Sequence, residues 1–366
     1  MKSSSKKSPP SSLGKKFKSI FVGEKKEIKL LGIIIAIGLV AIIGLAFSSS
    51  KSSFVKEKIT KNPNEEKGEC EFRNILNGVC VENAGAQIPA LAAIMIENHP
   101  DSRPQAGLAE AEVVYEAMVE GNFTRFLALY SYNANVSKIG PVRSARPYYL
   151  DWVEEYGNPL YMHVGGSPDA LALITSRKIW DANEMRGDNS FWRSTDRPMP
   201  HNTYTNNEHW QKKFAEENTN PFIGWDFATS SEPCVSQCVD FIEIPYLRPS
   251  FVTGWKYSSS TQNYERWQDG LPHKTETGTI HADTIAIVEA PVKVLDSVGR
   301  LEMKTIGTGP SIVIMNGRKI MGTWQKSARD ERTNFYDSLG KEINFKPGKI
   351  WIQIVPRLSM VTFTEL

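Results

Sequence analysis

Glu112–Ser131 reads EVVYEAMVEGNFTRFLALYS. Apolar and polar residues alternate on both sides of Gly121-Asn122, a dipeptide suited to a two-residue hairpin turn because both central positions need positive φ. Two strands follow, Glu112–Glu120 and Phe123–Ser131. Such a turn sets Glu120 opposite Phe123 and Met118 opposite Arg125. Val113, Tyr115, Ala117 and Val119 then share a core face with Thr124, Phe126, Ala128 and Tyr130. The other face carries Arg125 diagonal to Glu116 and Glu120, beside Phe123 and Leu127. That arrangement reads either as a functional carboxylate–guanidinium cluster or as an ion pair on a solvated face, worth under about 1 kcal/mol.

Outward from the hairpin, strand and helix patterns alternate. Leu91–Glu97 and Leu160–Val164 read as strands, and Pro147–Tyr156, Ser167–Ser176 and Asn206–Glu217 as helices. Residues 88–230 therefore form an α/β or α+β domain. From 240 to 366 short runs such as Ser311–Met315 and Ile350–Val355 are punctuated by Asn316-Gly317, Leu339-Gly340 and Pro347-Gly348. These are the marks of a mostly β domain. The loop Thr229–Val239 is the expected boundary, and 366 residues fit about two domains.

A hydrophobic fraction of 40% with 10% aromatics excludes a disordered or collagen-like chain. The net charge of +2 hides an asymmetry, +7 in residues 1–29 and −5 in the rest. A basic tail on a mildly acidic body argues against nucleic acid as a partner. Between them lies Leu30–Phe47, LLGIIIAIGLVAIIGLAF, which as a helix spans about 27 Å of a hydrocarbon core roughly 30 Å thick. The expectation is one transmembrane helix, with residues 1–29 as a cytoplasmic basic tail and all that follows outside. A cleaved signal peptide, with Gly44-Leu45-Ala46 near its cleavage site, is the alternative, and both export the body. Residues 48–87 read as a polar stalk carrying Cys70 and Cys80. In an oxidising compartment these two, and Cys234 with Cys238, are expected to form local disulfides. No ligand spacing commits them, or His273, His281 and Asp283, to a metal, and no cofactor motif is present.

Chemistry-bearing residues gather at strand ends and loops. In KIGPVRSARPYYLDWVEEYG, Pro147 suits the first turn of a helix, so Arg143 and Arg146 stand at its N-terminus. The helix dipole disfavours cations there unless Glu116, Glu120 or an external anion lies between them. In LYMHVGGSPDA, Gly165 and Gly166 let a backbone approach closely and Ser167 reads as a helix cap before Pro168. His163 ends its strand where open α/β sheets place ligands. In FWRSTDRPMPHNTYTN, Arg193, Arg197 and His201 lie in an irregular loop. Arginine favours bidentate recognition of phosphate or carboxylate. The expected anion-binding set is Arg125, Arg143, Arg146, Gly165, Gly166, Arg193, Arg197 and His201. Glu116, Glu120 and His163 are the candidate acid/base residues should a reaction occur.

The segments IENHPDSRPQAGLAEAEVVYEAMVEGNFTRF, KIGPVRSAR, HVGGSPDA, RPMPHN, GTGPSIVIMNGRKIMGTW and YDSLGKEINFKPGKIWIQIVP together resemble the YerB-like family of exported bacterial lipoproteins, a domain of unknown function numbered 3048. The resemblance covers about residues 88–357 and implies an N-terminal and a C-terminal half, without a known reaction. Members are typically lipid-anchored through a cysteine, whereas no cysteine stands directly after the Leu30–Phe47 run here. FTRFLALYSYNANVSKIGPVRSAR is also similar in outline to the arginine-bearing turn of LytR-CpsA-Psr phosphotransferases, with Ser144 where that turn has Asp. With the arginine and glutamate residues above, the expected functions are binding of an anionic cell-wall glycopolymer, action on such a polymer as a transferase or hydrolase, or structural partnership with an envelope protein.

Overall fold

The computed structural model describes residues 70–214, 221–229, 232 and 234–366. The expected tail 1–29, the span Leu30–Phe47 and the stalk up to residue 69 lie outside the described residues. Among the described residues no helix is long and apolar enough to cross a membrane.

The N-terminal half carries β1 (Leu91–Glu97), β2 (Val113–Met118) and β3 (Thr124–Ser131), each buried along its whole length. Burial without alternation marks strands covered on both faces. Then follow α1 (Pro147–Val153), β4 (Leu160–His163), α2 (Pro168–Arg177), β5 (Asp181–Asn183) and α3 (Asn207–Phe214). Proline begins α1 and α2, and Ser167 Oγ caps α2 by accepting the Ala170 amide at 3.3 Å. The end expected for α3, at Glu217, lies outside the described residues. The C-terminal half is mostly β. It contains β6 (Val239–Pro245), β7 (Val252–Ser258), β8 (Asn263–Gln268), β9 (Thr284–Glu289), β10 (Gly307–Met315), β11 (Arg318–Lys326), β12 (Asn334–Asp337), β13 (Ile350–Val355) and β14 (Thr362–Glu365).

The halves share one sheet. Ten strands run in the order β12-β11-β10-β9-β13-β2-β3-β1-β4-β5. Strand β13 pairs in parallel with β9 on one side and β2 on the other, and so joins the two halves. On one face, Tyr149 of α1 donates to the carbonyls of Ala117 and Arg125 at 3.1 and 2.6 Å, and Trp152 stacks on Tyr115. The other face meets a second sheet, β8-β7-β6-β14, with Leu271–Pro272 and His281–Ala282 added beside β8. There Trp255 packs on Trp351, and Tyr246 Oη donates to Gln353 Oε1 at 2.9 Å.

Two expectations need correction. The β2–β3 register pairs Met118 with Thr124 and Ala117 with Arg125, and the Val119 amide bonds to the Phe123 carbonyl at 2.8 Å. The loop thus holds three residues, Glu120–Asn122. A one-residue slip turns every side chain of one strand to the other face. Arg125 consequently joins Tyr115 and Ala117 under α1, while Glu116 joins Thr124 and Phe126 toward the second sheet. Residues 70–87 are also no stalk. Leu76 is fully buried, Asn77 Nδ2 donates to Glu112 Oε2 at 2.9 Å, and Phe72–Arg73 pairs with Cys80–Val81. Both expected disulfides, Cys70–Cys80 and Cys234–Cys238, are present.

Candidate functional site

Strands β1, β4 and β5 run in parallel, so their carboxyl ends lie together. The segment Ile139–Ala145 is threaded across those ends by backbone hydrogen bonds. Its Val142 amide donates to Thr203, Arg143 to Met95 at 2.8 Å, and Ala145 to Gly165 at 3.0 Å. Gly140 makes the threading feasible. Its φ is +143°, and a Cβ there would stand 2.8 Å from the Thr203 carbonyl.

This rigid segment aims Arg143 and Arg146 at two carboxylates. Arg143 Nε lies 2.9 Å from Glu97 Oε1, an ion pair whose angle falls short of a hydrogen bond. Arg146 Nε donates to Glu120 Oε1 at 2.6 Å. Burial pushes the Glu120 carboxyl up, but the hydrogen bond and charge of Arg146 outweigh it and hold the group below the usual carboxylate range. Arg125 is buried behind them and donates to the Ser144 carbonyl. Desolvation, then the charges of Arg146 and Arg143, bring its pKa down to about 10. Three guanidinium groups therefore share two carboxylates, which leaves one positive charge in surplus.

Glu97 serves a second partner, since its Oε2 lies 2.9 Å from His201 Nδ1. The His201 ring stacks on His99 with centroids 4.8 Å apart, and His99 meets the Phe123 ring edge-on at 5.2 Å. Phe123 continues the row to Phe251, with Arg248 over Phe123 and Arg103 over Phe251.

Under this rim lies a closed polar network. Glu116 Oε2 accepts from Arg266 Nη2 at 2.7 Å. Arg266 Nη1 donates to Gln268 Oε1 at 2.8 Å and to His273 Nδ1. His273 Nε2 faces Gln105 Oε1 at 2.9 Å. Burial, then the charges of Arg266 and Arg103, hold the His273 pKa well below its ordinary value. The ring is thus neutral, accepting at Nδ1 and donating at Nε2. Asn98 ties Glu116 and Thr124 to Gln268, and Arg103 caps the network through the Asn98 carbonyl.

Of the residues expected from sequence, Arg125, Arg143, Arg146 and His201 gather around Glu97 and Glu120. The rest are occupied elsewhere. The Gly165 amide donates to Asn183 Oδ1 at 2.9 Å and its carbonyl receives Ala145 and His163, so that turn offers no open cradle. Gly166 packs on Ala145 and Leu171. Arg193 pairs with Glu184, and Arg197 clamps its loop to the carbonyls of Ser102 and Pro104. The acid/base candidates Glu116 and His163 both lie in the interior. Neither has any exposure, and His163 Nε2 is held by Asp181 at 3.0 Å. Sequence reading missed Glu97, His99 and Arg266. Only Arg266 left a signal, as a charged residue at a core phase of β8, where the burial alternates.

Comparison with known proteins agrees with this architecture. Residues 76–220 match the family described as "Protein of unknown function (DUF3048) N-terminal domain", and residues 242–352 match its C-terminal counterpart. The Bacillus subtilis (strain 168) protein described as "Putative lipoprotein YerB" is 32% identical over 285 residues, which is 75% of this chain and 83% of that protein. The crystal structure of YerB protein from Bacillus subtilis superposes with a TM-score of 0.72 at 26% identity, covering 80% of this chain and 100% of that one. The two matched halves meet where β13 joins β2, and on these grounds the chain belongs to the DUF3048, or YerB-like, family.

Proposed function

We propose that the protein is anchored in a membrane by Leu30–Phe47, with residues 1–29 cytoplasmic and the body outside, and binds an anionic envelope ligand at the Arg143–Arg146 rim. The topology is supported by the uncharged run and the Lys-rich flank before it. It is also supported by the lipoprotein description of the Bacillus relative, a class held at the membrane by other means. The observation that carries ligand binding is the surplus guanidinium. Desolvation first, then the charges of Arg146 and Arg143, lower the pKa of the buried Arg125, and Glu97 and Glu120 neutralise only two of the three guanidinium groups. A phosphate or carboxylate presented by a cell-wall glycopolymer would relieve that crowding, and arginine forks grip such groups bidentately.

The experiment is thermal unfolding of the full chain with phosphate-bearing wall-polymer fragments. Binding at one hundred times Kd adds about 2.7 kcal/mol of stability. The paired variant Arg143→Ala/Arg146→Ala should lose that shift. A full shift in the variant, or none in the natural chain, refutes the reading. One observation favours a second reading, structural partnership with an envelope protein: Arg143 and Arg146 each already have a carboxylate. In that case the variants destabilise the chain without any ligand. A transferase or hydrolase would need a catalyst other than Glu116 or His163, since both are sealed from substrate.

A further inference from the structure

Four of the six histidines stand singly among their hydrogen-bond partners. His163 lies between Asp181 and the Gly165 carbonyl, and His273 between Arg266 and Gln105. His209 bonds to Asn206, and His281 to Thr279. The remaining two, His99 and His201, come from loops about a hundred residues apart and face each other beside Asp101. One ligand atom from each of His99, Asp101 and His201 lies within 4.8 Å of the other two. His99 Nδ1 is 3.5 Å from Asp101 Oδ2, and His201 Nε2 is 4.0 Å from the same oxygen.

We infer that His99, Asp101 and His201 form a binding site for a divalent transition ion of zinc's class. The independent support is Glu97. Its Oε2 sits 2.9 Å from His201 Nδ1, so the hydrogen on that ring belongs at Nδ1 and the Nε2 lone pair is turned toward Asp101. A carboxylate behind the far nitrogen of a histidine is the arrangement that orients metal-ligating imidazoles and raises their basicity. Two imidazoles and one carboxylate are the donors that zinc accepts in open sites, with a fourth position left for water or an exogenous anion. Bonds of about 2.0–2.1 Å place tetrahedral ligands roughly 3.3 Å apart, so the three atoms must close somewhat. The fixed member is His201, with 13% of its side chain exposed, whereas those of His99 and Asp101 are 30% and 70% exposed and can make the adjustment. His99 Nδ1 accepts the Asp101 amide at 3.2 Å and exchanges that contact for the ion. Magnesium and calcium, which want oxygen donors, are excluded by the two imidazoles.

The site adjoins the arginine rim through Glu97 but does not depend on it for function. The test therefore adds no phosphate or carboxylate ligand. The full chain, stripped with a chelator and exchanged into phosphate-free buffer, is titrated with zinc chloride by calorimetry and with cobalt(II) by visible absorption. One saturable equivalent with tetrahedral cobalt bands is expected, and none with magnesium. His99→Gln and His201→Gln should each weaken zinc at least tenfold, with thermal melting in chelator unchanged in His99→Gln. Glu97→Gln should weaken it by about 10–100-fold. His281→Gln, with its ring outside the cluster, should leave it unaltered. Absence of saturable zinc binding overturns the inference, as does zinc binding that survives the His99→Gln/His201→Gln pair. Either failure leaves the wall-polymer shift untouched, and loss of that shift leaves the zinc isotherm intact.

Discussion

Arg266 Nη2 stands 2.7 Å from Glu116 Oε2, and neither side chain has any exposure to solvent. The pair bridges the two sheets, for Glu116 belongs to β2 and Arg266 to β8. Both charges give up their hydration, and Asn98, Thr124, Gln268, Thr253 and His273 supply further hydrogen bonds, although Arg266 Nε is left without one.

Removing one partner leaves the other charged and unanswered in the core. Glu116→Ala should therefore destabilise the protein by about 3–5 kcal/mol in urea unfolding. The paired replacement Glu116→Met/Arg266→Met should lose clearly less than the sum of the single changes. Additive losses would mean that the two residues act separately.

His273 ties this network to pH. Its folded pKa lies well below its ordinary value of 6.5, because of burial first and the neighbouring arginines second. The unfolded chain binds that proton more readily than the folded one, so stability is complete above about pH 6.5 and declines as pH falls below it. The slope is at most about 1.4 kcal/mol per pH unit for one group. Glu120, Asp188 and Asp296 have lowered carboxyl pKa values, so their contributions fade only in more acidic solution. Stability measured from pH 7 to pH 5 should fall in the natural chain and fall less in His273→Gln, where the lowered pKa of His209 still contributes. An equal decline in both would place the proton elsewhere.

Much of this was legible in the sequence, and the misses share a cause. Local rules found β1 to β4, the Ser167 cap with Pro168 behind it, and both disulfides, because each depends on neighbours within a few residues. The hairpin register failed on a single residue. Gly121 and Asn122 do adopt the positive φ that the dipeptide implies, at 69° and 60°, but Glu120 joins the loop and Arg146 holds its carboxylate. That one residue separates Glu116 from Arg125 across the sheet. Glu116 meets Arg266 at a sequence separation of 150, and Glu97 meets His201 at 104. No periodicity or spacing rule reaches so far.

Leu76 tests whether the cysteine-bearing segment belongs to the folded body. It is fully buried between Cys70 and Cys80 in sequence. Leu76→Ala should cost about 2–5 kcal/mol, a core value that a tethering stalk would not show. Opening the Cys70–Cys80 bridge by Cys70→Ser/Cys80→Ser should cost a further 2–3 kcal/mol or so, as expected for a loop of this length. Melting temperatures that move by less than a degree in both variants would return the segment to the stalk.

Arg125 discriminates between a ligand site and a structural one. It is buried, it is crowded by Arg143 and Arg146, and its described hydrogen bond is to a carbonyl rather than a carboxylate. A charge held against like charges contributes little to folding, and an apolar residue of similar length fills its volume. Arg125→Met should therefore change stability by no more than about 1 kcal/mol, and it relieves the two arginines in front. If the surplus charge exists to meet an anion, the same variant should weaken wall-polymer binding while leaving Glu97 and Glu120 paired. A loss of stability above about 3 kcal/mol would instead show that Arg125 answers a buried negative group, and the rim would then be charge-balanced with no call for an external anion.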